Sequence, residues 1–269
     1  MDFPQPHIQL PIGSHTHTII LLHGRDSNGA EFAEELFSSK SSKDQGLFTA
    51  LPTWRWVFLT SCDRWSDRFQ ENMCSWFDAY SLDDIHQRQD LQIDGLRESI
   101  SYLYLGGISQ GMATGLWALF CATGRSGLQG PLGGFLGFCG WLPFAKQVEA
   151  LIEQRRPCGS LEIQYSVSKF FLDTLSSNEK VEETQTQTIN LHILFTPVFL
   201  SHGADDAWVS VELGQQASQI LKQILVHVEW HKFSGAEGDG HWIKEPEGFD
   251  QILKFLEDSV ARSAINAIQ

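Results

Sequence analysis

The chain has 269 residues, of which 42% are hydrophobic and 12% aromatic, and its formal net charge is −14. That length suits a single domain, 1–269, with a sizeable buried core. The acidic balance argues against a nucleic-acid partner, which would select for basic patches. Five cysteines (Cys62, Cys74, Cys121, Cys139, Cys158) are odd in number and scattered, with no C-x-x-C pair. Reduced thiols are therefore expected rather than a disulfide framework. The N-terminal stretch lacks a basic segment followed by an apolar one, and no apolar run approaches the length of a membrane span. The expectation is a cytoplasmic protein with no transmembrane segment; the sequence does not indicate its oligomeric state.

In chain order, residues 16–22 (THTIILL) read as a short apolar strand that runs into a turn-rich loop beginning His23-Gly24-Arg25. A helix is expected over 30–37, a buried strand over 54–60 (WRWVFLT), and no assignment is made for the aromatic-rich stretch 63–78. Helical periodicity covers 87–103. Next comes an apolar, strand-like run, 101–108, and then a helical one, 110–123, with apolar Met112, Leu116, Leu119 and Phe120. Between them stands Ser109, with Gly107 and Gly111 two residues to either side. Strand, sharp turn, helix is the context in which G-x-S-x-G lifts a serine hydroxyl out of the top of a sheet.

Further along, 133–139 (GGFLGFC) reads as a core strand and 144–155 as a helix. The polar run 176–188 (SSNEKVEETQTQT) reads as a surface excursion. A strand over 197–201 ends in His202-Gly203-Ala204-Asp205-Asp206. A helix over 211–225 follows, and a strand over 226–233 leads to a glycine-rich loop carrying His241. The segment 246–261 closes the chain as an amphipathic helix. Strands alternating with helices imply an α/β fold, a mostly parallel central sheet with helices on both faces.

A serine hydroxyl needs an adjacent base to act as a nucleophile near neutral pH. An acid and a histidine follow Ser109 at the ends of successive strands, in the order this arrangement requires. His241 is the candidate base, and Asp206 is the candidate acid that orients it, with Asp205 its nearest rival and Asp239 a further one. Two N–H donors must hold the oxyanion. The Gln110 amide directly after the serine and the Arg25 amide in the loop after the first strand are the candidates. His23 reads as a structural member of that loop and His202 as packing or hydrogen-bonding below the acid loop. Trp76, Trp208 and Trp242 are candidates to line an apolar substrate pocket. No H-x-x-x-H or Cys/His cluster has ligand spacing, so no metal is expected.

The blocks Leu21-Leu22-His23-Gly24, Ser75-Trp76-Phe77-Asp78, Gly107-Ile108-Ser109-Gln110-Gly111, His202-Gly203-Ala204-Asp205-Asp206 and Gly240-His241, in this order, resemble the phospholipase/carboxylesterase family. That family of the α/β-hydrolase superfamily includes the acyl-protein thioesterases. The resemblance implies the α/β-hydrolase fold, a Ser109/Asp206/His241 triad, an oxyanion hole from Arg25 and Gln110, and cofactor-free cleavage of carboxylic esters or thioesters. It also marks 144–189 as an insertion between nucleophile and acid, and a lid is the reading given to it. Arg25, Met112 and Ala207 depart from the family's usual residues. A triad-dependent enzyme that cleaves C–C bonds or cyclises a specialised metabolite is the alternative reading. A ligand-binding protein on the same scaffold is a third.

Overall fold

The computed structural model describes residues 3–99, 106–124, 131–175 and 189–266. The chain opens with β1 (His7–Gln9) and β2 (His17–Leu22), followed by α1 (Gly29–Ser38) and a short α2 (Leu47–Ala50). Asn28 caps α1, its Oδ1 accepting from the Ala30 and Glu31 amides at 3.0 Å each, which fixes where the loop after β2 ends. Then come β3 (Trp54–Leu59), β4 (Asp63–Ser66), β5 (Glu71–Cys74) and α3 (Asp90–Ser99). The second half runs β6 (Gly106–Ile108), α4 (Gln110–Cys121), β7 (Phe135–Phe138), α5 (Ala145–Arg155) and α6 (Ser160–Leu175). It closes with β8 (Val198–Gly203), α7 (Val211–Ile224), β9 (Val228–Phe233) and α8 (Glu247–Asn266).

Seven strands form one sheet in the order β1-β3-β2-β6-β7-β8-β9. All neighbours are parallel except β1, which pairs antiparallel with β3 at one edge. Every residue of β6, β7 and β8 is buried, as expected of parallel strands covered on both faces. On one face the core is built by α4, α5, α6 and α7, through Leu116, Trp117, Val148, Phe171 and Leu221. On the other, Phe32 and Leu36 of α1 join Phe249 and Phe255 of α8 against Trp56, Phe58 and Phe199. Such a sheet leaves its carboxyl strand ends as the place where loops can gather functional groups.

Elements expected from the sequence are present where they fall within the described residues, and further ones appear, among them the short α2. The stretch 63–78 contains an antiparallel hairpin, Asp63 opposite Cys74 and Ser66 opposite Glu71, that forms a second small sheet. β1 supplies the antiparallel edge. Within 144–189, α6 places Ile163, Val167 and Phe171 on one buried stripe. Phe171 stacks on Phe120 with ring centroids 4.4 Å apart and meets Trp117 edge-on at 4.7 Å. The described part of this segment is thus helical layer packed on α4. The expected strand residues 101–105, helix residues 100–103 and polar run 176–188 lie outside the described residues.

Candidate active site

Four loops at the carboxyl ends of β2, β6, β8 and β9 meet at one rim. At the centre, Ser109 sits between β6 and α4 with φ 56° and ψ −121°, a backbone region that L residues enter only under local constraint. The constraint is visible on both sides. A Cβ on Gly107 would lie 2.6 Å from the Leu22 carbonyl oxygen and from the Gly111 carbonyl carbon, and one on Gly111 would run into Leu22. Only glycine lets β6, α4 and β2 approach this closely. The turn is then locked by the Ser109 amide, which donates to Phe138 O at 2.8 Å. Met112, unusually large for its place, fits because Gly137 and Gly140 offer it no side chain.

The loops after β8 and β9 carry the candidate acid and the candidate base. Asp206 Oδ2 accepts from His241 Nδ1 at 2.7 Å. Asp205 points elsewhere and accepts from the Gly235 amide at 2.7 Å, so the structure joins His241 to Asp206 and not to its rival. Asp239 contributes its backbone: its carbonyl accepts from the Ala207 amide at 3.0 Å and stitches the two loops together. Asp206 Oδ1 accepts from the Trp208 and Val209 amides, each at 2.9 Å. Burial alone would raise the Asp206 pKa. Hydrogen bonds from His202 and His241 outweigh it and hold this carboxyl well below the usual carboxylate range. Asp206 is therefore an anion near neutral pH.

His202 hydrogen-bonds beneath the acid loop, as one of its expected roles. Its ring is fully buried, and Nε2 lies 2.9 Å from Val209 O and 3.2 Å from Asp206 Oδ2. A nitrogen between two acceptors carries the proton, so His202 donates to the same oxygen that His241 uses. Gly214 on α7 makes this possible, since a Cβ there would strike the His202 ring.

The end of β7 links the Ser109 turn to this pair. The donor atoms of Cys139, Asp206 and His241 all lie within 4.8 Å of one another. Cys139 directly follows Phe138, whose carbonyl holds Ser109, and a Cβ on Gly140 would lie 2.7 Å from Ser109 O. Among the described residues the Ser109 hydroxyl closes no hydrogen bond to His241 Nε2. Such contacts are commonly long without substrate and tighten when it binds. Burial pushes the Cys139 thiol far up, so this sulfur stays protonated beside the acid.

The oxyanion side is built from below. Gly24 lies against Ser109; a Cβ there would be 3.4 Å from the serine's own Cβ. His23 is buried, and its Nε2 accepts from the Ser61 amide at 3.0 Å while Nδ1 donates to Gly24 O at 2.5 Å. Desolvation by burial lowers its pKa to about 4, which makes it a neutral strut of the loop. The Trp76 indole donates to His23 O at 2.9 Å. The Gln110 side chain accepts from the Trp76 amide and donates to Phe77 O, both at 2.7 Å. Sequence reasoning used only the backbone of Gln110; its buried side chain ties the Ser75–Asp78 block to the residue after the serine. Among the described residues, no acceptor engages the amide of Arg25 or of Gln110.

The three tryptophans separate. Trp76 is buried beneath the oxyanion loop. Trp242 is buried against Phe32, ring centroids 6.0 Å apart, with its indole donating to Ser39 Oγ. Neither offers a face to an open pocket. Trp208 does: exposed, it lines a cavity of about 320 Å³ with Asp206, Ala207, Leu82 and Asp83.

No family model matches the chain. The chain is 25% identical over 265 residues to Acyl-protein thioesterase 1 of Gibberella zeae, across 90% of each sequence. It is 24% identical over 206 residues to Acyl-protein thioesterase 1 of Candida albicans, across 71% of each. The chain is thus similar in sequence to acyl-protein thioesterases, in keeping with the resemblance to the phospholipase/carboxylesterase family. Its fold matches acyl-protein thioesterase 2 of Zea mays with a TM-score of 0.65 and 23% identity, over 95% of this chain and 98% of that one. Esterase PE8 matches with a TM-score of 0.61 and 18% identity, over 96% and 99%.

Proposed function

We propose that the chain is a serine hydrolase that cleaves carboxylic esters or thioesters through an acyl-enzyme on Ser109. Ser109 Oγ attacks the carbonyl carbon as His241 Nε2 takes its proton, and Asp206 stabilises the imidazolium that results. The tetrahedral oxyanion is received by the Gln110 and Arg25 amides, at the start of α4 and in the loop after β2. His241 then protonates the departing alkoxide or thiolate. A water deprotonated by the same imidazole attacks the acyl carbon and releases the acid and free Ser109. No cofactor enters this cycle.

The observation that carries the reading is the 2.7 Å His241–Asp206 contact on two loops knitted beside the strained Ser109 turn. The names borne by the similar proteins, thioesterase and esterase, favour hydrolysis over the C–C cleaving or cyclising alternative. We place the protein in the cytoplasm, in keeping with five free cysteines. No helix among the described residues is long and apolar enough to cross a membrane. We take 1–269 as one domain in which 144–189 is an insertion, and a lid role for it is tested by trimming 176–188. A fluorophosphonate should label wild type and leave Ser109→Ala unlabelled. A panel of aryl esters and acyl-thioesters of graded chain length should be hydrolysed by wild type alone. Equal labelling of both proteins would remove Ser109 from the mechanism.

A further inference from the structure

Arg25 follows the glycine that touches Ser109, and its side chain does not escape into solvent. It is half-buried, one guanidinium N–H donates to Ala79 O at 3.3 Å, and its Cζ sits 5.2 Å from the centroid of the Phe69 ring. Ala79 lies two residues beyond Phe77, which the Gln110 side chain holds, so the cation stays on the oxyanion side of the rim. Arg68 approaches the same ring, Cζ 5.9 Å from its centroid. Two guanidiniums thus gather around one exposed aromatic at the mouth of a chain whose net charge is −14.

Asp26 and Asp78 act on the Arg25 charge from beyond ion-pair distance, and Arg68 opposes them. Asp78 accepts from the Ser66 hydroxyl and the Asp67 amide, and Asp83 lies 3.9 Å from Arg68. Among the described residues no carboxylate comes within ion-pair distance of Arg25. A partly desolvated guanidinium with donors to spare is costly to keep unless a ligand uses it, and its planar fork suits a carboxylate or phosphate.

We propose that Arg25, backed by Arg68, is an anion subsite beside the oxyanion loop, and that the preferred substrates are esters or thioesters bearing a negative group near the scissile bond. This rests on the hydrolase reading above and names its substrate class. Its test compares kcat/KM within two pairs: mono-p-nitrophenyl glutarate against p-nitrophenyl butyrate, for a charge on the acyl side, and S-butanoyl thioglycolate against S-butanoyl ethanethiol, for a charge on the leaving group. In at least one pair wild type should favour the anion. Arg25→Met should cut that anionic-to-neutral ratio about tenfold or more, mainly through KM, with Arg68→Met cutting it less. Arg25→Lys should restore part of it, and about 0.5 M salt should weaken the wild-type preference. Ratios that agree within about twofold between wild type and Arg25→Met in both pairs would overturn the subsite. If Arg25→Met does not fold, an unchanged ratio in Arg25→Lys and Arg68→Met at low and high salt would overturn it instead. Turnover of neutral esters with fluorophosphonate labelling, but without any charge preference, would sink this proposal and leave the hydrolase standing; no turnover and no labelling would remove both.

Discussion

Asp206 gathers four donors, two ring nitrogens and two backbone amides, on one buried carboxylate. On the proposed mechanism this carboxylate orients His241, and its neighbour Asp205 makes none of these contacts. Asp206→Asn should lower kcat by roughly 10³- to 10⁴-fold, because an amide can favour the wrong imidazole tautomer. Asp205→Asn should stay within about threefold, since Asp205 only caps the Gly235 turn. Steady-state kinetics on one aryl ester checks both, and comparable losses would show the acid to be misassigned. At this scale the sequence was informative for Ser109 and His241, whose glycine contexts are distinctive. It was ambiguous for Asp205 against Asp206, which are adjacent and chemically identical, so only the direction of each side chain separates them. Trp76 and Trp242 show the same limit in reverse. An aromatic next to a functional residue is as well suited to bracing a loop as to lining a cleft, and here both indoles are tied to the scaffold.

Among the elements, the β6–Ser109–α4 turn is the one whose geometry the rest must accommodate. Gly111→Ala would drive a methyl into the Leu22 backbone, which has no flexible end to move aside. A cost of about 3 kcal/mol is expected, or roughly 6–12 °C in Tm for a domain of this size. Differential scanning calorimetry reads it directly, and a Tm within about 2 °C of wild type would contradict the packing described here. Long, strongly periodic segments such as α4, α7 and α8 were legible because their apolar stripes are unbroken. The β4–β5 hairpin was not: Asp63–Cys74 has neither clean alternation nor a two-residue turn signal, and its pairing depends on docking beside the oxyanion loop, where the Asp26 amide donates to Cys74 O. β1 is three residues long and becomes a strand only because β3 offers it an edge. The helical spacing of Ile163, Val167 and Phe171 in α6 was present in the sequence but was not assigned as a helix.

For the whole molecule, the sheet order explains why residues from 23 to 241 meet: each loop leaves the same edge of one parallel array. It also couples stability to pH through the oxyanion loop. His23 is neutral in the folded state, its pKa lowered to about 4 by burial, whereas an unfolded chain would protonate it near 6.5. Between those values the unfolded state binds more protons, so stability falls as pH drops through about 6.5 toward 4 and the loss is complete below that. The size is about 3 kcal/mol. His23→Gln, which keeps an acceptor for the Ser61 amide, should be less stable than wild type at pH 7.5. The gap should narrow by roughly 2–3 kcal/mol at pH 4 in urea unfolding. Parallel pH curves for the two proteins would exclude this contribution.

The central claim is that Ser109 becomes the acyl carrier because Asp206 and His241 are delivered to it. Rapid mixing with p-nitrophenyl butyrate, quenching in acid and peptide mapping tests it most directly. A burst of one p-nitrophenolate per chain with butyrate recovered on Ser109, and neither in His241→Ala, is the predicted result. Turnover at the wild-type rate with no acyl group on Ser109 would contradict it.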